Sequence, residues 1–213
     1  MAAIDPRDRI ILDHAPLVPM PRYGDLEELP VNSHRFIAGE DGLYLELRRP
    51  WAWVTAQIAP SDMPLPYGFV PELYDYQFDE AALEAVLDLF TADARRALPD
   101  ECAAWAVWNE HTGLLEYRPL IADQASPGGV SFHRPRLEPH EHLAVDMHSH
   151  GTLAAYFSET DDDDDRGEVK LSVVAGTLDK EPSYASRLCA LGFFLDADEQ
   201  DEEGEKNAEV QGT

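Results

Sequence analysis

The chain has 213 residues, 44% of them hydrophobic, enough for one core plus a small annex. With 16 Lys+Arg against 42 Asp+Glu, the formal net charge is -26. That sign argues against unassisted binding to nucleic-acid phosphates or anionic membranes, and no apolar run is long enough for a membrane-spanning helix.

Residues Met1 to Leu12 carry Asp5, Arg7, Asp8 and Arg9 with no apolar segment, so no secretory signal is expected. Pro6, Pro16, Pro19, Pro21 and Pro30 predict an extended arm rather than a helix. His34 to Ala38 and the alternating run from Gly42 predict a hairpin through Glu40-Asp41-Gly42, and Trp51 to Ile58 predicts a third strand. Pro60, Pro64, Pro66, Gly68 and Pro71 then break the pattern. Residues 1–78 thus read as a β-rich N-terminal region.

Asp79 to Leu98 predicts a helix, with Leu83, Val86, Leu87, Phe90, Ala94 and Leu98 on one face and Pro99 as its stop. Strands are predicted at Ala103 to Trp108, Leu114 to Ile121 and Val130 to Arg134, with Ser126 to Gly129 a loop. The apolar run Leu143 to Met147 ends at His148. Val169, Leu171 and Val173 alternate as a strand, and Arg187 to Leu195 predicts another. The order is α+β over 79–195. Residues 196–213, acidic and poor in apolar groups, read as a disordered tail.

His148-Ser149-His150 is followed by Ser158 and Asp161. Imidazoles at i and i+2 of an extended segment share a side, and residues three apart share a face of a helical turn. Two histidines and one carboxylate leave a fourth position open on zinc, the pattern of a catalytic site rather than a structural one.

This spacing resembles the JAB/MPN metalloenzymes of the JAMM type, whose motif is an upstream Glu followed by His-x-His-x7-Ser-x2-Asp. The resemblance implies a JAB/MPN-like mixed sheet flanked by helices and a zinc metallopeptidase. It implies that His148, His150 and Asp161 bind Zn2+ and that Ser158 helps stabilise the oxyanion. The family's Glu opens a strand after a helix, which points to Glu101. It would hold the zinc's water and shuttle its proton. Glu110, in the turn after that strand, is the rival. Two features depart from the family: Gly151 replaces a common Pro, which leaves the loop less stiff, and Ala103 to Trp108 lacks the usual glycine-rich run.

The whole chain is similar to the PRTRC system protein A family, on Gly42 to Glu46 and Arg49-Pro50-Trp51. That resemblance implies a ubiquitin-like protein and a ThiF-like activating enzyme as partners, with cleavage after the ubiquitin-like tail. Two other functions stay open: a non-catalytic MPN-like scaffold, and a JAB-like hydrolase of a small amide conjugate.

The segment 122–142, with Gly128 and Gly129 as hinges, is expected to cover the site in preference to the other candidate, Gly151 to Phe157. His140-Glu141-His142 lies in a Pro-rich stretch and reads as solvated loop rather than a second metal site. Asp162 to Asp165 lacks the glycine and glutamate of a calcium loop and reads as a solvated loop beside the site. Cys102 and Cys189 are too few for a disulfide framework; both read as core, in a cytoplasmic protein. Trp51 and Trp53 are expected on one face, packed in the core.

Overall fold

The computed structural model describes residues 5–196. The acidic tail expected over 196–213 lies, beyond Asp196, outside the described residues. The chain is α+β and divides between Gln77 and Phe78 into two compact units. No helix among the described residues is long and apolar enough to cross a membrane.

The first unit opens with a helix, α1 (Pro6–His14), where an extended arm was expected. Pro6 starts this helix, where its missing N–H has no partner to lose, and the Asp5 carboxylate accepts from Arg7 N at 2.9 Å. A five-stranded sheet follows in the order β1 (Leu17–Pro19), β2 (Ser33–Ala38), β3 (Gly42–Arg49), β4 (Ala52–Pro60) and β5 (Leu73–Tyr76). Only β1–β2 is parallel, and the expected β2–β3 hairpin is present. Ile37, Tyr44 and Val70 form one buried cluster. Trp51 precedes β4 rather than sharing its face with Trp53; it is buried and stacked on Tyr76. Trp53 instead donates Nε1–H to the buried Glu46 carboxylate at 2.9 Å.

The second unit begins with α2 (Glu80–Ala97), capped by Asp79 accepting from Ala82 N at 2.9 Å. Its buried residues, Val86, Phe90, Thr91 and Ala94, recur at helical spacing. Then come β6 (Ala103–Asn109), β7 (Leu114–Pro119), β8 (Ala122–Ser126), β9 (Gly129–Phe132), β10 (Glu141–Ser149), α3 (Glu159–Asp165), β11 (Val169–Gly176), β12 (Ser183–Ala190) and β13 (Phe193–Asp196). The strand expected over 187–195 is broken into a β12–β13 hairpin, because Leu191 and Gly192 both take positive φ, 57° and 97°. The separate β8–β9 hairpin contains a strand the sequence did not suggest.

The main sheet has the order β13-β12-β11-β10-β6-β7, antiparallel except for β10–β11. A parallel pair needs a crossover connection, and here the crossover carries α3. It leaves β10 at the end where His148 and His150 lie. Because β6 runs antiparallel to β10, its first residue pairs with the first histidine of the motif, Ala103 opposite His148. Topology therefore brings the segment before β6, the end of β10 and the start of α3 to one end of the sheet's central strands.

Candidate metal centre

At the end of β10 the side chains alternate, so His148 and His150 share one side and Ser149 takes the other. Ser149 is fully buried: its Oγ accepts from Cys102 N at 2.9 Å, and its own N–H donates to Cys102 O at 3.0 Å. The serine between the histidines thus pins the segment that carries Glu101. His150 N–H donates to Ala175 O at 2.8 Å, which ties the other histidine to β11.

Gly151 has φ +57°, in the left-handed region. Proline is locked near −65°, so the proline common in the family has no place in this backbone. The segment after Gly151 is nonetheless fastened down. Leu178 N donates to Gly151 O at 2.9 Å, Thr177 N to Leu153 O at 2.6 Å, and Ala155 N to Ser183 Oγ at 3.0 Å. Gly176 permits this approach, since a Cβ there would lie 2.3 Å from Leu153 O.

Asp161 sits in the first turn of α3, with Ser158 as N-cap in a capping box. Asp161 Oδ2 accepts from Ser158 N at 2.6 Å and from Ser158 Oγ at 2.7 Å. Its other oxygen, Oδ1, stands 3.3 Å from His148 Nε2, which is 3.3 Å from His150 Nε2. Ser158 therefore orients the Asp161 carboxylate, with one oxygen committed to the cap and one turned to the histidines.

One ligand atom from each of His148, His150 and Asp161 lies within 4.8 Å of the others, and no other such group occurs among the described residues. The donor set fits zinc: two imidazole nitrogens and a carboxylate oxygen, with room for a fourth ligand. His150 is buried, and its pKa is lowered by that burial first and by His148 second. The neutral imidazole, the form that ligates metal, is thereby favoured.

These residues line a cavity of about 610 Å3 together with Glu101, Ser158 and the β8–β9 turn at Gly128 and Gly129. Glu101 is 7% exposed, and its carboxyl is pushed up to about 7 by burial and then by the charge of Asp161. Its backbone N–H donates to Ser126 O at 3.0 Å, so the hairpin docks directly on the segment that holds it. Glu110 lies at the opposite end of β6, beside His142, with Oε1 3.4 Å from His142 Nε2. His142 belongs to β10 rather than to a loop, and His140 stacks on His111 with ring centroids 4.0 Å apart.

Asp162 to Asp165 form the body of α3 and not a solvated loop. Asp165 is 4% exposed and pairs with Lys170 Nζ at 2.9 Å and Arg187 Nη2 at 2.8 Å. Lys170 is itself 2% exposed and also meets Asp146 at 2.6 Å and Glu168 at 2.9 Å. Burial alone would lower the Lys170 pKa, but Asp146 and the other carboxylates more than offset it and hold the ammonium charged. The signal for this cluster in the sequence was slight: a lysine and an arginine inside apolar strand runs. Cys189 is fully buried, its thiol pushed up to about 12 by burial and then by Asp165; Cys102 is half-buried beside Ser149.

Residues 5–76 match a domain of unknown function (DUF2016), and residues 83–189 match the prokaryotic homologs of the JAB domain. No curated protein matches the chain. The second match spans half of the sequence and contains the whole histidine–aspartate cluster, so the chain belongs to the prokaryotic JAB-domain homologs.

Proposed function

We propose that this protein is a zinc-dependent peptidase or isopeptidase of JAMM type that cleaves after the C-terminal tail of a ubiquitin-like protein. The observation that carries the reading is the convergence of His148, His150 and Asp161 in one cavity with a buried carboxylate, Glu101. His148 Nε2, His150 Nε2 and Asp161 Oδ1 would hold the ion. Zinc there would supply a Lewis acid for the scissile carbonyl and lower the pKa of an attacking water toward neutrality.

The chain's own groups do the rest. Glu101, buried and lining the same cavity as the ligands, would take a proton from the attacking water and return it to the leaving amine. Ser158 keeps Asp161 Oδ1 aimed at the ion through the capping box; if its hydroxyl turned to the developing oxyanion, its backbone N–H would still hold Asp161 Oδ2. The β8–β9 hairpin borders the cavity and offers strand edges with which an extended tail could pair its backbone. The ubiquitin-like substrate and a ThiF-like activating partner rest on the sequence resemblance to the PRTRC cassette.

The test uses the whole chain with a ubiquitin-like fusion ending in Gly-Gly. Zinc-loaded protein should cleave it, and chelation should abolish cleavage. Deleting Asp123 to Gly129 should weaken cleavage and leave zinc content unchanged. One equivalent of zinc with no cleavage of protein or small amide substrates would replace the enzyme reading with a scaffold.

A further inference from the structure

The helix that carries Asp161 is a poor helix by its own sequence. α3 has seven residues, Glu-Thr-Asp-Asp-Asp-Asp-Asp, too short to persist alone in water. Aspartate is a weak helix former, and like charges three and four apart repel. Acidic residues at the C-terminal turn also oppose the helix dipole. The capping box fixes the first turn locally but does not place it against β10. Something from the sheet must do so.

Two buried cations meet that need. Arg187 on β12 donates Nη1–H to Asp162 Oδ1 at 2.6 Å, and Nη2–H and Nε–H to Asp165 Oδ2 at 2.8 and 3.2 Å. Its guanidinium lies over the Phe157 ring at 3.8 Å and the Phe194 ring at 3.9 Å. Phe157 stands just before Ser158, and Asp162 just after Asp161, so Arg187 grips the chain on both sides of the capping box. Lys170 on β11 bridges Asp165 of α3 to Asp146 of β10. Asp146 shares the strand face of His148 and His150, two residues earlier, and Trp105 Nε1–H fixes its other oxygen at 3.1 Å.

We infer that Arg187 and Lys170 are positioning residues for the metal site, a buried ionic bridge that sets Asp161 in register with His148 and His150. This rests on the zinc reading above. Asp162 and Asp165 are thus counter-charges for two strand cations, and the pairing holds in place an otherwise unstable helix that carries the third ligand. Removal of either cation strips the buried Asp165 of one of its two counter-charges, and removal of Arg187 also frees Asp162, so the hold on the helix beside the histidines is weakened. Groups hydrogen-bonded directly to metal ligands typically change metal affinity about 10- to 100-fold; Arg187 and Lys170 hold residues beside Asp161, so that range is the upper scale of their effect.

The experiment measures zinc affinity of the full apo chain by competition with a chromophoric chelator, alongside the apo melting temperature. Arg187→Met should weaken zinc binding by up to about 10- to 100-fold, and Arg187→Lys should restore part of the loss. Asp162→Asn, a milder change at a half-exposed carboxylate, should shift affinity in the same direction and decides the matter if Arg187→Met fails to fold. Arg118→Met is the control. It cuts a more exposed ion pair with Glu141, at the start of β10, and should lower the melting temperature without changing zinc affinity. Wild-type affinity in folded Arg187→Met and Asp162→Asn would overturn the inference while leaving the zinc site standing. An equal loss of affinity in Arg118→Met would reduce it to general stability. A wild-type chain that binds no zinc would overturn the zinc reading itself.

Discussion

Strand β10 carries a His-x-His near each end, and the two ends differ in what surrounds them. At its start, His140 stacks on His111 and His142 faces Glu110, and the donors do not converge. At its end, His148 and His150 meet Asp161, and Glu101 lines the same cavity. The histidine spacing is the same at both ends. The difference is the crossover: only the C-terminal end of β10 feeds a connection to a parallel strand, and that connection brings a helix N-terminus with a third ligand. A pair of histidines becomes a candidate metal site when the topology supplies the remaining donor.

The largest expected effect separates the two ends by composition. His150→Ala should bring zinc from about one equivalent to near none, whereas His142→Ala should leave it unchanged; elemental analysis of the purified variants reads both. The carboxylates divide the same way. Glu101→Gln should keep its zinc and lose about a hundredfold or more in cleavage rate. Glu110→Gln should behave as wild type, and the opposite pattern would move the base to the wrong end of β6.

Glu101 also gives the apo protein a pH signature. Its folded pKa of about 7 lies above the unfolded value near 4.5, so the folded state binds more protons between them. Stability from this group is full below pH 4.5 and is lost as pH rises through 7, by at most about 3 kcal/mol. Chelated wild type should therefore lose stability over that window in denaturant melts, and Glu101→Gln should show a flatter profile. An unchanged slope in Glu101→Gln would place the effect elsewhere. A smaller effect is expected from restoring the family's proline. Gly151→Pro forces φ away from +57° and should destabilise the chain by more than about 1 kcal/mol. A neutral result would show that the segment after Gly151 can adopt a second backbone path.

Much of this was legible in the sequence because the signals are local. The α2 stripe from Leu83 to Ala94 repeats at helical spacing, and the histidine–serine–aspartate motif lies within a short stretch of chain. The signals that failed are of other kinds. Pro6 reads as a breaker unless Asp5 is recognised as the cap before it. Strand β8 is exposed throughout and has no alternation to detect. Asp162 and Asp165 look as solvated as Asp163 and Asp164 between them because their counter-charges, Lys170 and Arg187, arrive from later strands through long-range packing. The reason for Gly151 resides in a backbone angle that no spacing rule encodes.

The most direct test of the account is anomalous diffraction at the zinc edge from crystals of the zinc-loaded chain. A single strong peak among His148 Nε2, His150 Nε2 and Asp161 Oδ1, with Glu101 beside it but outside ligand distance, is the predicted result. A peak at His142 and Glu110, or zinc held by Glu101 in place of Asp161, would contradict it.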